Sequence, residues 1–338
     1  MQADIQAWLA ILAANGLRFS ESVRYGESAV RAARASGDIE ALAAALDGRK
    51  TSLAYIGEVA ELQGVIDELD PLLRRLGDTF RLHWTVFESS FGAIARGDWE
   101  AASDRIKAGL ETQRRSGYTA YAGWHVAHLG WIARLRGDLN EAVELGRRSL
   151  ELCQEAPHVW CAATAGALLG TTLLEQGQRD AAVRVLERAR SAAEQEGAEA
   201  YVLRCAAPLA EATRSLDVLL EADALIGSIT APEGSAFLVG DWCYLAVARA
   251  WLAHGEPERA RAVLAPLLVA AERCSWVAPL AGASAVDGHA AAMLGLDDVA
   301  ARQLDRAVQL AQRHGLPGIE RAAAARTPRR TRKTGGQS

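Results

Sequence analysis

The sequence has almost no run in which Val, Ile or Thr alternates with polar residues, and that absence excludes an all-β protein. Proline is scarce, nine in 338 residues, which removes collagen-like and Pro-rich chains. Hydrophobic residues make up 50% and charged residues 23%, too apolar a balance for a disordered chain. The five cysteines, Cys153, Cys161, Cys205, Cys243 and Cys274, lie far apart, are odd in number and form no C-x-x-C. They exclude a disulfide framework or a zinc ribbon and suit a reducing cytosol. No apolar run approaches the ~20 residues of a membrane helix. The softest stretch, 277–296, is broken by Asp287 and His289. At the N-terminus, Met1-Gln2-Ala3-Asp4 carries an acid where a signal peptide carries basic residues. A cytoplasmic chain without a membrane partner is expected.

A single core stops growing near roughly 250–300 residues, so this length requires two domains or a repeat array. The net charge of −5 is unevenly spread. Arg321, Arg326, Arg329, Arg330, Arg332 and Lys333 stand in a C-terminal stretch that has no acid, so the body is more acidic than the total indicates. Such a body is no nucleic-acid surface, and only the basic tail could touch phosphates weakly.

Turn residues recur with a fixed period. Gly57, Gly97, Gly137 and Gly177 are spaced by 40, as are Gly255 and Gly295; Gly16 extends the series backwards and Asp217 fills its gap. Half a period away stand Gly37, Gly77, Gly117, Pro157, Gly197, Gly234, Ser275 and Gly315. Two interleaved series mean two segments per repeat. The segments are rich in Ala, Leu, Glu and Arg, the strong helix formers. Five residues beyond each turn lie Ala102, Ala142, Ala182, Ala222, Ala260 and Ala300; nine beyond lie Ile66, Ile106, Leu186, Ile226, Leu264 and Leu304; twelve beyond lie Gly109, Ser149, Ala189 and Ala307. Small, large and small at this spacing is one helical face that lets a neighbour approach closely. The prediction is an all-α solenoid of about eight antiparallel helix hairpins wound into a superhelix. Its repeats are 1–37, 38–77, 78–117, 118–157, 158–197, 198–234, 235–275 and 276–315, with a basic, disordered tail over 316–338. Pro71 and Pro266 are expected to kink or shorten second helices.

Leu129-Gly130, Ala133, Gly137, Ala142 and Ser149, and more closely Leu169-Gly170, Leu173, Gly177, Ala182, Leu186 and Ala189, resemble the tetratricopeptide pattern. The longer period, and phrases such as His128-Leu129-Gly130-Trp131-Ile132-Ala133-Arg134-Leu135-Arg136-Gly137, resemble the C-terminal arrays of large bacterial signalling ATPases. Maltose-activator-like and LuxR-type ATP-binding transcription regulators are examples. The resemblance implies a sensor or interaction arm; its motifs are packing motifs, which specify a fold rather than an activity. No phosphate-binding G-x-x-x-x-G-K-[ST] is present, Gly48-Arg49-Lys50-Thr51 being only its nearest string, and no helix-turn-helix follows Gly315. A stand-alone array or a piece of a longer regulator is therefore expected. An ATPase or DNA-binding part would come from another segment or chain, and an apolar end at Trp8, Leu9, Ile11 and Leu12 would need cover.

The tetratricopeptide scheme places Trp84, Trp124, Arg204 and Trp242, thirteen residues before the turns, on the inner face of first helices. Phe91, Trp131, Glu211, Arg249 and His289 stand six before the turns, and Phe87 lies between. Together they would line a concave groove for an extended peptide, a partner helix or a planar ligand. The alternative is that the tryptophans fill contacts between hairpins. His125 and His128, three apart on one helix, with His83 one repeat earlier, are the only metal-ligand pattern, and no carboxylate stands in register with them. Cys205 and Cys243 occupy equivalent positions and read as small apolar fillers. Gly166 and Gly170 read as a close helix contact. The expected function is a non-enzymatic interaction or sensor module without metal or cofactor. An independent adaptor is the alternative, and a metal-dependent enzyme built on the three histidines a remote one.

Overall fold

The computed structural model describes residues 2–156, 158–229 and 241–325. Pro157, Gly234 and the chain beyond 325 lie outside them. Successive helices pair as hairpins: α1 (Gln2–Asn15) with α2 (Phe19–Ser36), α3 (Ile39–Ile56) with α4 (Val59–Leu76), α5 (Thr79–Glu88) and α6 (Ser90–Arg96) with α7 (Trp99–Ser116), and α8 (Ala122–Leu135) with α9 (Leu139–Glu155). The series continues with α10 (Val159–Glu175) and α11 (Arg179–Gln195), α12 (Glu199–Thr213) and α13 (Leu216–Gly227), α14 (Asp241–Ala253) and α15 (Pro257–Arg273), and α16 (Val277–Met293) and α17 (Asp297–His314). Each first helix also packs on the first helix of its neighbour, which makes the chain an all-α, tetratricopeptide-like solenoid.

The helix ends follow from the turn chemistry. Gly57, with φ of 77°, takes the left-handed conformation that stops α3 and donates its N–H to Leu53. Asp38, Asp78 and Asp98 then start helices by accepting backbone N–H groups of the first turn. The alanines in register are all buried: Ala102, Ala142, Ala182, Ala222, Ala260 and Ala300. Gly166 and Gly170 seat α11 against α10, where an added Cβ would lie 2.5 Å from Ala189 Cβ and from Leu186 Cγ.

Three sequence expectations change. In the sixth hairpin the break falls not at Asp217 but at Arg214, whose φ is 57°, because the Ser215 hydroxyl accepts the Val218 N–H and starts α13 there. Pro71 and Pro266 do not end their helices early: α4 runs on to Leu76 and α15 to Arg273, held by buried Leu69 and Leu73 and by Leu264 and Leu267 on either side. The stretch after 315 does not start as a tail, because α18 (Pro317–Ala324) is helical and packs on α16 and α17.

First helices crowd the axis. On α8, α10, α12 and α16 buried residues occur on every side, not on one stripe. The array also meets itself, α1 touching α12 and α6 touching α16. On α1, Ile5, Trp8, Leu9 and Leu12 are exposed.

Candidate functional site

The winding brings first helices from the first six hairpins around one cavity of about 280 Å³. Its wall is an unbroken circuit of rings. Trp84 meets Tyr121 at 4.8 Å, Tyr121 meets His158 at 4.6 Å, and His158 meets Trp160 at 5.2 Å between centroids. Trp160 stacks on Tyr201 at 5.7 Å, Tyr201 meets Trp124 at 6.5 Å, and Trp124 returns to Trp84 at 5.9 Å. Phe87, Phe91 and Tyr55 lie deeper, and Trp8 and Ile11 of α1 close one side. The six rings come from four successive first helices, α5, α8, α10 and α12, with Tyr121 and His158 standing at the N-caps of α8 and α10, so a hairpin period becomes a continuous aromatic surface.

One part of this wall is charged. Lys50 is buried, with Nζ 2.7 Å from Asp47 Oδ1 and 2.8 Å from Glu88 Oε2. Burial works against the ammonium, but the Asp47 and Glu88 carboxylates outweigh it and raise the Lys50 pKa. Burial raises that of Glu88, with Lys50 opposing. Arg81 pairs with Asp78 and lies 3.8 Å from Asp47. Asp4 is partnered too. Each charged group on the wall therefore has a partner of its own.

Behind the rings, Arg204 is buried with its guanidinium carbon 4.6 Å from the Tyr201 ring, 5.5 Å from Tyr55 and 5.8 Å from Trp124. Its Nη1 donates to Thr164 Oγ1 at 3.3 Å. Planar cation on ring faces makes Arg204 a strut for the wall and not part of its surface.

The histidines are packing residues of the same region. His125 Nδ1 donates to the Tyr121 carbonyl at 3.0 Å and His128 Nδ1 to the Trp124 carbonyl at 2.8 Å. His83 lies 5.7 Å from His125 and 6.2 Å from Tyr121, ring to ring. Burial depresses all three, to about 3 for His83 and His128 and about 4 for His125, so the rings are neutral. Among the described residues no three of His, Cys, Asp and Glu come together as metal ligands.

The ten residues nominated from the sequence divide. Trp84, Phe87, Phe91 and Trp124 face the aromatic cavity. Glu211, Trp242 and Arg249 face a second cavity of about 250 Å³, closed on one side by Gly318, Ile319 and Ala322 of α18. Arg249 grips Glu211 through Nε and Nη2, both at 2.8 Å. Trp131 is buried against Trp242, and His289 Nε2 donates to the Ala322 carbonyl at 2.8 Å. Neither Trp131, Arg204 nor His289 lines either cavity. The nominated residues thus fall on two cavities and not on one continuous lining.

Sequence reasoning missed Tyr121, Trp160 and Tyr201. A signal was available: with Phe80 they stand one helical turn before the nominated register, sixteen or seventeen residues ahead of the turn.

A family model described as the MalT-like TPR region matches residues 3–316. No curated protein matches the sequence. Among solved structures, the apo form of RapI is similar at 12% identity with a TM-score of 0.54, over 81% of this chain and 98% of that one. A Rap protein complexed with Competence and Sporulation Factor is similar at 8% identity with a TM-score of 0.51, over 95% and 94%. At these identities the likeness is one of fold.

Proposed function

Because this chain belongs to the family of MalT-like TPR regions, we propose that it is a non-enzymatic sensor module that takes an uncharged, ring-bearing ligand into the aromatic cavity. The observation that carries this reading is the circuit of rings around a wall whose charges are already paired. Ring faces on several sides stack a planar or ring-shaped body, while a charged ligand would lose hydration and find no free countercharge. Such a body is a small molecule or the apolar side chain of a bound peptide. The complex of a Rap protein with Competence and Sporulation Factor is a precedent, on this fold, for holding such a factor.

In this reading the array is the sensing arm of a bacterial signalling or transcription-regulatory ATPase system, with the ATPase or DNA-binding part supplied by another segment or chain. Its place is the cytoplasm, which suits five cysteines that form no disulfide.

Two naphthalene probes test the ligand class: uncharged prodan, and anilinonaphthalene sulfonate, which carries a fixed negative charge. Prodan is expected to bind saturably with a blue-shifted emission, and the sulfonate at least about tenfold more weakly. Trp160→Ala should weaken prodan by about tenfold or more, since an aromatic wall residue carries about 1–3 kcal/mol of stacking. Equal binding of both probes, or prodan binding indifferent to Trp160, overturns the reading.

A further inference from the structure

Gly57, Gly97, Gly137 and Gly177 occupy equivalent turns and share a positive φ, at 77, 74, 85 and 77°. Their surroundings differ. A Cβ at Gly177 would meet nothing within 4 Å, and the same holds for Gly255 and Gly295. At Gly57 it would lie 1.5 Å from the Trp276 ring, at Gly97 2.7 Å from His314 Nδ1, and at Gly137 2.5 Å from Pro317 Cγ. The turns of the second, third and fourth hairpins therefore sit directly beneath the end of the array.

Polar contacts follow the same line. Trp276, fully buried, donates its indole N–H to the Gly57 carbonyl at 3.0 Å. Trp99 donates in the same way to the His314 carbonyl at 2.7 Å. Arg273 pairs with Glu58, the Cys274 thiol donates to Glu58 Oε2 at 3.7 Å, and Arg321 lies 3.9 Å from Glu175. These contacts close one turn of the superhelix onto the next. They are made by turn residues and partly exposed ion pairs, whereas consecutive hairpins bury whole helix faces against each other. The weaker of two interfaces in series separates first. The second cavity has a wall on each side of this line, Arg134 and Glu175 on one and Ala278, Gly282 and α18 on the other.

We infer that the line from Gly57–Trp276 to Glu175–Arg321 is a closure that opens as a unit, parting the last two hairpins and α18 from the turns they cover while every hairpin stays folded. Opening exposes the second cavity and loosens the array, which is the kind of two-state element a sensor arm needs. This inference does not depend on what occupies the aromatic cavity.

The test compares glycine substitutions that carry the same backbone strain. Gly57→Ala and Gly97→Ala wedge the closure; Gly177→Ala strains an equivalent turn in open space and is the control. Cys274, half-buried against Glu58, reports opening, and the buried Cys153, Cys161, Cys205 and Cys243 report unfolding. With a maleimide probe, Cys274 should label about tenfold faster or more in both wedged variants than in Gly177→Ala, the other four thiols staying protected. The radius of gyration from small-angle scattering should rise in parallel. Because Gly97 contacts His314 and not Cys274, its effect requires the closure to open as a unit. Trp99→Phe, which removes the indole N–H together with part of the ring and adds no backbone strain, should give a smaller rise and serves if a wedged variant fails to fold. Labelling at the control rate, a rise in Gly57→Ala alone, or loss of protection at all five thiols would each overturn the inference.

Discussion

The hydroxyls of Tyr55 and Tyr201 stand 3.2 Å apart although 146 residues separate them in the chain, and Tyr201 also donates to Asn15 Oδ1 at 3.2 Å. Three first helices, α1, α3 and α12, are thereby tied at one point beside the aromatic cavity. Tyr201→Phe removes both bonds but leaves Tyr55 with Asn15 as an acceptor at 3.4 Å, so no buried hydroxyl is orphaned. The expected cost is about 1 kcal/mol, read as a lower urea midpoint at unchanged slope. Since the Trp160 stack survives, prodan affinity should not move.

Lys50 gives the opposite situation. Lys50→Met takes the buried ammonium from between Asp47 and Glu88 and leaves a carboxylate unpaired in the interior. A loss of about 3–5 kcal/mol is expected at pH 7. The deficit relative to the parent should shrink as pH falls, because Glu88, whose pKa burial already raises, then takes up a proton and ceases to be a buried charge. The double variant Lys50→Met/Glu88→Gln should recover a large part of the loss. Urea denaturation of all three proteins at pH 7 and pH 5 decides it; a single variant as stable as the parent at pH 7 would refute the pairing.

The contrast between these two clusters shows what the sequence could reveal. The period of the turn glycines and the buried alanines in register are local facts, and they determine hairpins and stacking without reference to anything distant. Trp84 and Trp124 were legible because they repeat. Lys50 was visible only as part of a defective phosphate loop, since its meaning lies in Glu88, one repeat later. The closure at Gly57 and Trp276 was out of reach: the glycines beneath it look the same as Gly177, and only superhelical pitch decides which of them are covered.

Acid should weaken the fold in a defined window. His83, His125 and His128 are held neutral, with values depressed from 6.5 to about 3, 4 and 3. Below about pH 6.5 the unfolded chain binds protons at these rings and the folded chain does not, so stability falls as pH falls. The loss is about 1.4 kcal/mol per histidine per pH unit, continuing until roughly pH 4, where the first folded ring titrates. His128→Asn keeps a donor near the Trp124 carbonyl and removes the titration. Its stability between pH 6.5 and 4.5 should fall with a slope lower by about one proton, as chemical denaturation at four or five pH values will show.

Two helical glycines that look alike in the sequence should respond in opposite directions to alanine. Gly64 lies on the exposed side of α4, and a Cβ there would meet nothing within 4 Å. Gly64→Ala gains helix propensity and restricts the unfolded chain, so it should stabilise by about 0.5–1 kcal/mol. Gly170 faces the fully buried Leu186, and its Cβ would fall 2.5 Å from Leu186 Cγ, inside contact distance. The same intrinsic gain is available, but α10 and α11 must separate to accommodate the methyl, and overpacking of a close-packed interface costs about 1–3 kcal/mol. Gly170→Ala should therefore lower the denaturation midpoint while Gly64→Ala raises it. Leu186→Val, which trims the residue being struck, should restore part of the loss in the Gly170→Ala background while destabilising the parent; two independent costs would show instead that the close approach of α10 and α11 is not what selects glycine at 170.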